Sequence, residues 1–197
     1  MDYPLADVGE GFSLSAEEFL WEEQYDTPRI EGVSESCSYF RYLDGGGNEY
    51  IFDYTADRIE GEDGTVTYTN GRYYCPRLPR CKLSFGGAYA YLTYESGVYK
   101  AFSGRFLRFI KDPNGNTVNF TYRTLPGGTA LWKITEVVDG TADRVTELIW
   151  DEERSLLTAV KGADGTYISF TYTAGANPRL TQATYANRAT FTATAAL

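Results

Sequence analysis

At 197 residues, 43% apolar and 23% charged, the chain has the composition of a globular protein able to bury a core, which excludes a disordered segment. A net charge of −9, with 18 Lys and Arg spread singly, argues against binding nucleic-acid phosphates. No apolar run approaches the roughly 18 residues of a membrane span, and seventeen Tyr with eleven Phe favour half-buried sheet.

The opening "MDYPLADVGEGF" lacks the basic start and apolar stretch of a signal peptide, so a secreted parent would carry its signal elsewhere. Residues 11–24, "GFSLSAEEFLWEEQ", hold the one helix signal. Ser15 and Glu18 have capping-box spacing ahead of Phe19, Leu20 and Trp21. The apolar spacing is poor, so the expectation is one short helical turn, with a strand over "GFSL" as the alternative.

From about residue 35 the text becomes strands and turns. "YFRYLDGGGNEYIFDY" (39–54) is a hairpin around "DGGGN", and "DRIEGEDGTVTYTNG" (57–71) is another around Asp63-Gly64. Cys75 and Cys81 bracket "CPRLPRC", whose two prolines hold the ends close enough for a disulfide; the pair is either bridged or free. Cys37 reads as a free core or edge thiol. Three Cys and no His do not make a zinc site. "GAYAYLTYESGVYKAFSGRF" (87–106) gives strands broken at Ser96-Gly97 and Ser103-Gly104.

A repeat then appears. "FLRFIKDPNGNTVNFTY" (106–122) and "LLTAVKGADGTYISFTY" (156–172) each carry a Gly, an aromatic five residues on and a Tyr seven on: Gly115, Phe120, Tyr122, then Gly165, Phe170, Tyr172. Gly47, Phe52 and Tyr54 keep the same spacing. "WKITEVVDGTADRVTELIWD" (132–151) is a further copy, with Asp143 in the turn slot and Trp150 as the closing aromatic. "LTQATYANRATFTA" (180–193) looks like a degenerate one. Hairpins of about twenty residues need their neighbours to bury a face, which indicates a repeat architecture. Side-chain alternation puts the fifth- and seventh-position aromatics on one face, expected to be the buried one. Phe120, Tyr122, Trp150, Phe170 and Tyr172 are therefore expected at equivalent buried positions.

These copies resemble the YD-repeat, or RHS (rearrangement hotspot), family. "GRFLRFIKDPNGNTVNFTY" follows its repeat almost throughout, and "LIWDEERSLLTAVKGADGTYISFTY" follows it with Trp150-Asp151 in the Tyr-Asp slot. "YLDGGGNEYIFDY" and "GEDGTVTY" resemble the divergent region before the regular repeats. "GEGFSLSAEEFL" is similar to the Gly-x-Gly-Trp-x-Leu stretch ahead of that, with Phe12 for the Trp. Tyr122 and Tyr172 are followed by Arg123 and Thr173, a departure from the Tyr-Asp pattern.

The resemblance implies an all-β, antiparallel meander of hairpin repeats, an open segment of a YD-repeat shell. It divides the chain into a lead-in (1–34), a divergent hairpin region (35–96) and YD/RHS-like repeats (97–197). It further implies a structural segment of an exported, secreted or cell-surface bacterial protein, toxin-encapsulating or adhesive, as in teneurins. Its partners would be the remaining shell repeats and an enclosed C-terminal polypeptide, often a toxin. The alternative is an extracellular β-rich module that recognises glycan or a surface protein through Tyr residues.

The residues themselves point away from turnover. Without His there is no Ser-His or Cys-His nucleophile. Glu17-Glu18, Glu22-Glu23 and Glu152-Glu153 are adjacencies expected in a chain with 27 acidic residues. "DPNGN" (112–116) resembles a calcium loop at Asp112, Asn114 and Asn116, but its Gly sits two positions early and no closing Glu follows. A Pro-Asn-Gly turn is the simpler reading. "GEG" (9–11) lacks the rest of a phosphate loop, and "NFT" (119–121) is a glycosylation triplet within a strand. The Tyr-rich "YAYLTYESGVY" (89–99) is read as cross-strand packing before sugar stacking. No catalytic, cofactor-binding or metal residue is assigned, and no cofactor or enzymatic activity is expected.

Overall fold

The computed structural model describes residues 17–26, 36–61, 66–175 and 177–186; all regular structure among them is strand. The described residues fall into two compact units, 17–114 and 115–186. The all-β, antiparallel hairpin reading holds in both.

The first unit carries β1 (Phe19–Asp26), β2 (Ser36–Leu43), β3 (Glu49–Glu60), β4 (Val66–Tyr74), β5 (Cys81–Gly86), β6 (Tyr89–Tyr94), β7 (Tyr99–Ser103) and β8 (Phe106–Lys111). Each strand pairs antiparallel with the next. β1 then returns to β8, with Phe19 opposite Phe106. At that seam the Leu20 amide donates to the Arg105 carbonyl (2.9 Å) and the Leu107 amide to the Glu18 carbonyl (3.3 Å). The Phe19 and Phe106 rings meet edge to face at 5.8 Å.

An eight-stranded barrel results, which corrects the expectation of an open sheet over these residues. The physical reason is the edge. Closure gives donors and acceptors at the ends of the meander a partner. It also encloses Leu20, Phe52, Leu83, Leu92, Phe102 and Leu107, each at most 4% exposed. Each such side chain contributes roughly 1.5–3 kcal/mol on burial.

β1 corrects a second expectation, for Phe19–Asp26 is strand and not a helical turn. Glu18 does not act as a capping residue; its carboxylate is taken by Lys100 of β7. Tertiary pairing overrides a weak local signal. Ser15 lies outside the described residues, as does the hairpin tip at Asp63-Gly64; the strands on either side pair, with Glu60 opposite Val66.

The second unit is a meander of β9 (Thr117–Leu125), β10 (Gly128–Val138), β11 (Thr141–Asp151), β12 (Leu156–Lys161), β13 (Tyr167–Tyr172) and β14 (Leu180–Tyr185). Successive strands pair antiparallel. Among the described residues β14 pairs with β13 alone. The part of the fourth copy beyond Ala186 lies outside the described residues.

Turn chemistry repeats in both units. At 44–48, 94–98 and 162–166 the first residue's amide donates to the carbonyl four on, and the Gly three on donates back to the first carbonyl. Asp44 and Asp164 side chains accept further turn amides, from Gly46 and Asn48 and from Thr166. The fourth turn residue must take φ > 0: Gly165 has φ 80°, and Gly115 in "DPNGN" has φ 94°.

One turn is displaced from its expected place. β10 and β11 are joined by Asp139-Gly140, both at φ > 0, the conformation that a two-residue hairpin turn requires. Asp143 is not in the turn. It is the extra residue of a bulge in β11, between Ala142 opposite Val137 and Arg144 opposite Glu136.

The closing aromatics bring the repeat into register. Trp150 Nε1 donates to the Leu131 carbonyl (2.9 Å), and Tyr172 OH donates to the Leu157 carbonyl (2.6 Å). Both acceptors lie at the same offset on the preceding strand, one residue beyond the position directly opposite in that hairpin's register. The next residue also has a shared task. Asp151 Oδ1 accepts the Glu153 and Arg154 amides, and Thr173 Oγ1 accepts that of Arg179, so both side chains hold the following turn. Arg123 departs, lying 3.5 Å over the Trp132 ring.

Burial along this series is graded and not uniform. Phe120 and Trp150 are buried, whereas Tyr122, Phe170 and Tyr172 are half-buried. Phe170 and Tyr172 lie on the next-to-last described strand, with less sheet beyond them to cover them. Tyr54 departs furthest: it is 55% exposed and packs edge-on against Tyr73, near the bulge at Thr55–Asp57.

Candidate functional site

The barrel interior has a polar end. Leu92 opposite Lys100 on the β6–β7 ladder, and Leu83 opposite Leu92 on β5–β6, fix Lys100 on the inward face with buried Leu92. Tyr94, two residues from Leu92, and Cys81, opposite Tyr94, share that face. From the other side come Tyr42, next to Tyr50 on β3, and Glu18 just ahead of β1.

These groups close on one another. Lys100 Nζ donates to Glu18 Oε1 (2.8 Å), Glu18 Oε2 (2.7 Å) and Tyr42 OH (2.9 Å). Tyr42 OH donates to Glu18 Oε2 at 2.6 Å. The ammonium also lies 5.5 Å from the Tyr42 ring centre and 5.6 Å from that of Tyr94. Side-chain exposure is 16% for Lys100 and 13% for Glu18, so the pair is largely withdrawn from water.

Burial, reinforced by the Glu18 carboxylate, holds the Tyr42 phenol well above the ordinary tyrosine range. Burial also pushes Tyr94 up to about 12 and the Cys81 thiol up to about 11, the latter against the opposing effect of Lys100. The phenols stay protonated, and Lys100 spends its three donors on three acceptors inside the cluster. Such an arrangement holds strands together. A general base or nucleophile must instead face a space that a substrate can enter.

One space in this unit lies elsewhere. A cavity of about 350 Å³ is lined by Leu20, Glu22, Phe40, Phe85, Tyr89 and Phe102 among others, and by none of the four polar groups. Of the adjacent acid pairs, Glu22 borders this cavity, while Glu23 turns to the outer face. There it accepts from Trp21 Nε1 (2.9 Å) and Tyr39 and pairs with Arg41 (3.0 Å). Hydrogen bonds from Tyr39 and then Trp21 keep the Glu23 carboxyl below its ordinary range. Alternation along β1 sends Glu22 and Glu23 to opposite faces, so these two carboxylates do not converge.

Among the described residues no group of three or more Cys, Asp or Glu is disposed to hold a metal ion. In the calcium-like stretch, Asn116 Oδ1 accepts the Asp139 amide (3.2 Å). Cys75 and Cys81 are both free and buried. The Tyr-rich stretch packs on the outer face: Tyr89, Tyr91, Tyr99 and Phe109 form a ring cluster with centroids 5.8–6.0 Å apart. Ala101, on the same outward face, is fully buried.

The polar cluster is hard to read from the sequence because its members are 82 residues apart at the extreme. One signal exists. In "YKAFS", alternation assigns Lys100 to the face of Phe102, so either a charge points inward or an aromatic points outward. In comparisons with known proteins, no family model and no curated protein matches the chain.

Proposed function

We propose that the chain is a structural, non-enzymatic stretch of an exported RHS/YD-repeat protein, in which residues 117–185 form wall and the preceding barrel a closed lead-in. The observation that carries this reading is the recurrence of one hydrogen bond. Trp150 and Tyr172 reach the preceding strand's carbonyl at the same offset, as successive units of one array do. The sequence spends its distinctive residues on turns and packing aromatics, and the buried polar cluster is saturated internally. The edge of β14 that no described strand pairs with is where the next repeat of the parent would add, and a wall of such repeats encloses a C-terminal polypeptide.

A second reading rests on the outer Tyr89, Tyr91, Tyr99 and Phe109 rings, partly exposed aromatics suited to stacking on glycan. Expressing the chain with the adjoining repeats and C-terminal region of its reading frame tests both. The wall reading expects the C-terminal polypeptide to resist added protease until the sheet is unfolded. Immediate digestion of that polypeptide, with glycan binding abolished by Tyr89→Ala, would replace it by the second.

A further inference from the structure

"CPRLPRC" folds as two tandem turns. The Leu78 amide donates to the Cys75 carbonyl (3.0 Å) and the Cys81 amide to the Leu78 carbonyl (3.0 Å). Pro76 and Pro79 each occupy the second position of a turn, where their fixed φ suits it. Together the turns reverse the chain between β4 and β5. Tyr73 is opposite Leu83, and continuing that register by two residues on each strand sets Cys75 directly opposite Cys81.

Directly opposed residues of an antiparallel pair share a face, and both thiols are buried, at 1% and 7% exposure. The Cys75 carbonyl and Cys81 amide are each bonded to Leu78 and not to each other. Directly opposed residues of an antiparallel pair have usual Cα separations of about 4.5 or 5.5 Å, both inside the range a disulfide spans.

We infer that Cys75 and Cys81 form a cross-strand disulfide that fastens β4 to β5 when the chain folds in an oxidising medium. The inference stands on local geometry, independently of the proposed function. The oxidant is a low-molecular-weight disulfide of the glutathione class. One protein thiolate attacks it and expels a small thiolate; the second then attacks the mixed disulfide and expels the other. The two protein thiols lose two protons and two electrons, and the small disulfide leaves as two thiols.

Timing follows from burial. A thiol pushed up to about 11 carries little thiolate at neutral pH, so exchange is slow in the folded barrel. Bond formation accompanies folding, and the finished bond is shielded from reductants.

The test is to refold the full chain, reduced, in a glutathione redox buffer, quench with acid, alkylate free thiols and map peptides by mass spectrometry. A Cys37→Ser variant runs in parallel, with the unaltered chain as the reference should that variant fail to fold. The expected result is a Cys75–Cys81 cross-link in both and a Tm roughly 4–8 °C above that of the reduced protein. Native reduced protein given the same buffer should form the link far more slowly. Retention of both thiols, a persistent glutathione adduct on either one, or a bond to Cys37 in place of this pair would overturn the inference.

Discussion

Replacing Lys100 by Met removes the cation that ties Glu18 to β7 beside the barrel seam. The carboxylate, 13% exposed, then keeps only the Tyr42 hydroxyl of the partners described here. Breaking one side of a buried pair costs about 3–5 kcal/mol. With both side chains still slightly wet, we expect about 2–4 kcal/mol at pH 7. Glu18→Gln should cost a similar amount by leaving the ammonium unpaired, while the amide oxygen still accepts from Tyr42. The double variant should regain most of the loss, since no uncompensated charge remains.

The chain supplies its own control. Arg80 and Glu95 pair at 3.0 Å, but at 81% and 67% exposure, and Arg80→Met should cost no more than about 1 kcal/mol. Urea unfolding followed by tryptophan fluorescence and circular dichroism gives the four free energies of the cycle. At an m-value of about 2 kcal/mol/M, a loss of 3 kcal/mol moves the midpoint by about 1.5 M. If Lys100→Met and Glu18→Gln behave like Arg80→Met, and the double variant is simply their sum, the cluster does not hold the seam.

Alkaline stability should report the same cluster. Tyr42 and Tyr94 ionise above the ordinary 10.0, so the stability they contribute is whole below about pH 10 and declines as pH rises past it toward the folded values. Urea midpoints from pH 8 to 11 should fall less steeply for Tyr42→Phe, and parallel curves would contradict this. At Gly165 a Cβ meets nothing within 4 Å, so substitution is penalised by φ 80° alone. Ala should cost about 1–2 kcal/mol, Val more and Asn less, and equal thermal midpoints would refute the turn. Trp150→Phe and Tyr172→Phe should each lose about 0.5–1.5 kcal/mol with the hydrogen bond to the preceding strand. Trp150→Ala should lose about 3–5 kcal/mol, and unchanged thermal midpoints would break the repeat alignment.

What was legible in the sequence was whatever is written locally. Period-two alternation and Gly-bearing turns marked the strands and turns at 39–54, 87–106 and 156–172, because each turn's geometry is fixed by residues within five positions of one another. β1 was not legible, since what makes Phe19–Asp26 a strand is its pairing with β2 and, at Phe19, with distant β8. Asp143 misled for a related reason: a bulge preserves the spacing to Trp150 while moving the turn to Asp139-Gly140. The Glu18–Tyr42–Tyr94–Lys100 cluster needed the closed barrel, because no short window holds more than two of its members.

The reading of residues 117–185 as repeat wall is tested most directly by an electron cryomicroscopy map of the parent protein at side-chain resolution. The account predicts further antiparallel hairpins pairing onto the edge of β14 opposite β13. In each, a closing aromatic should donate to the preceding strand at the offset seen for Trp150 and Tyr172. A β14 edge left facing solvent or covered by a separate domain, with no further repeat in register, would contradict it.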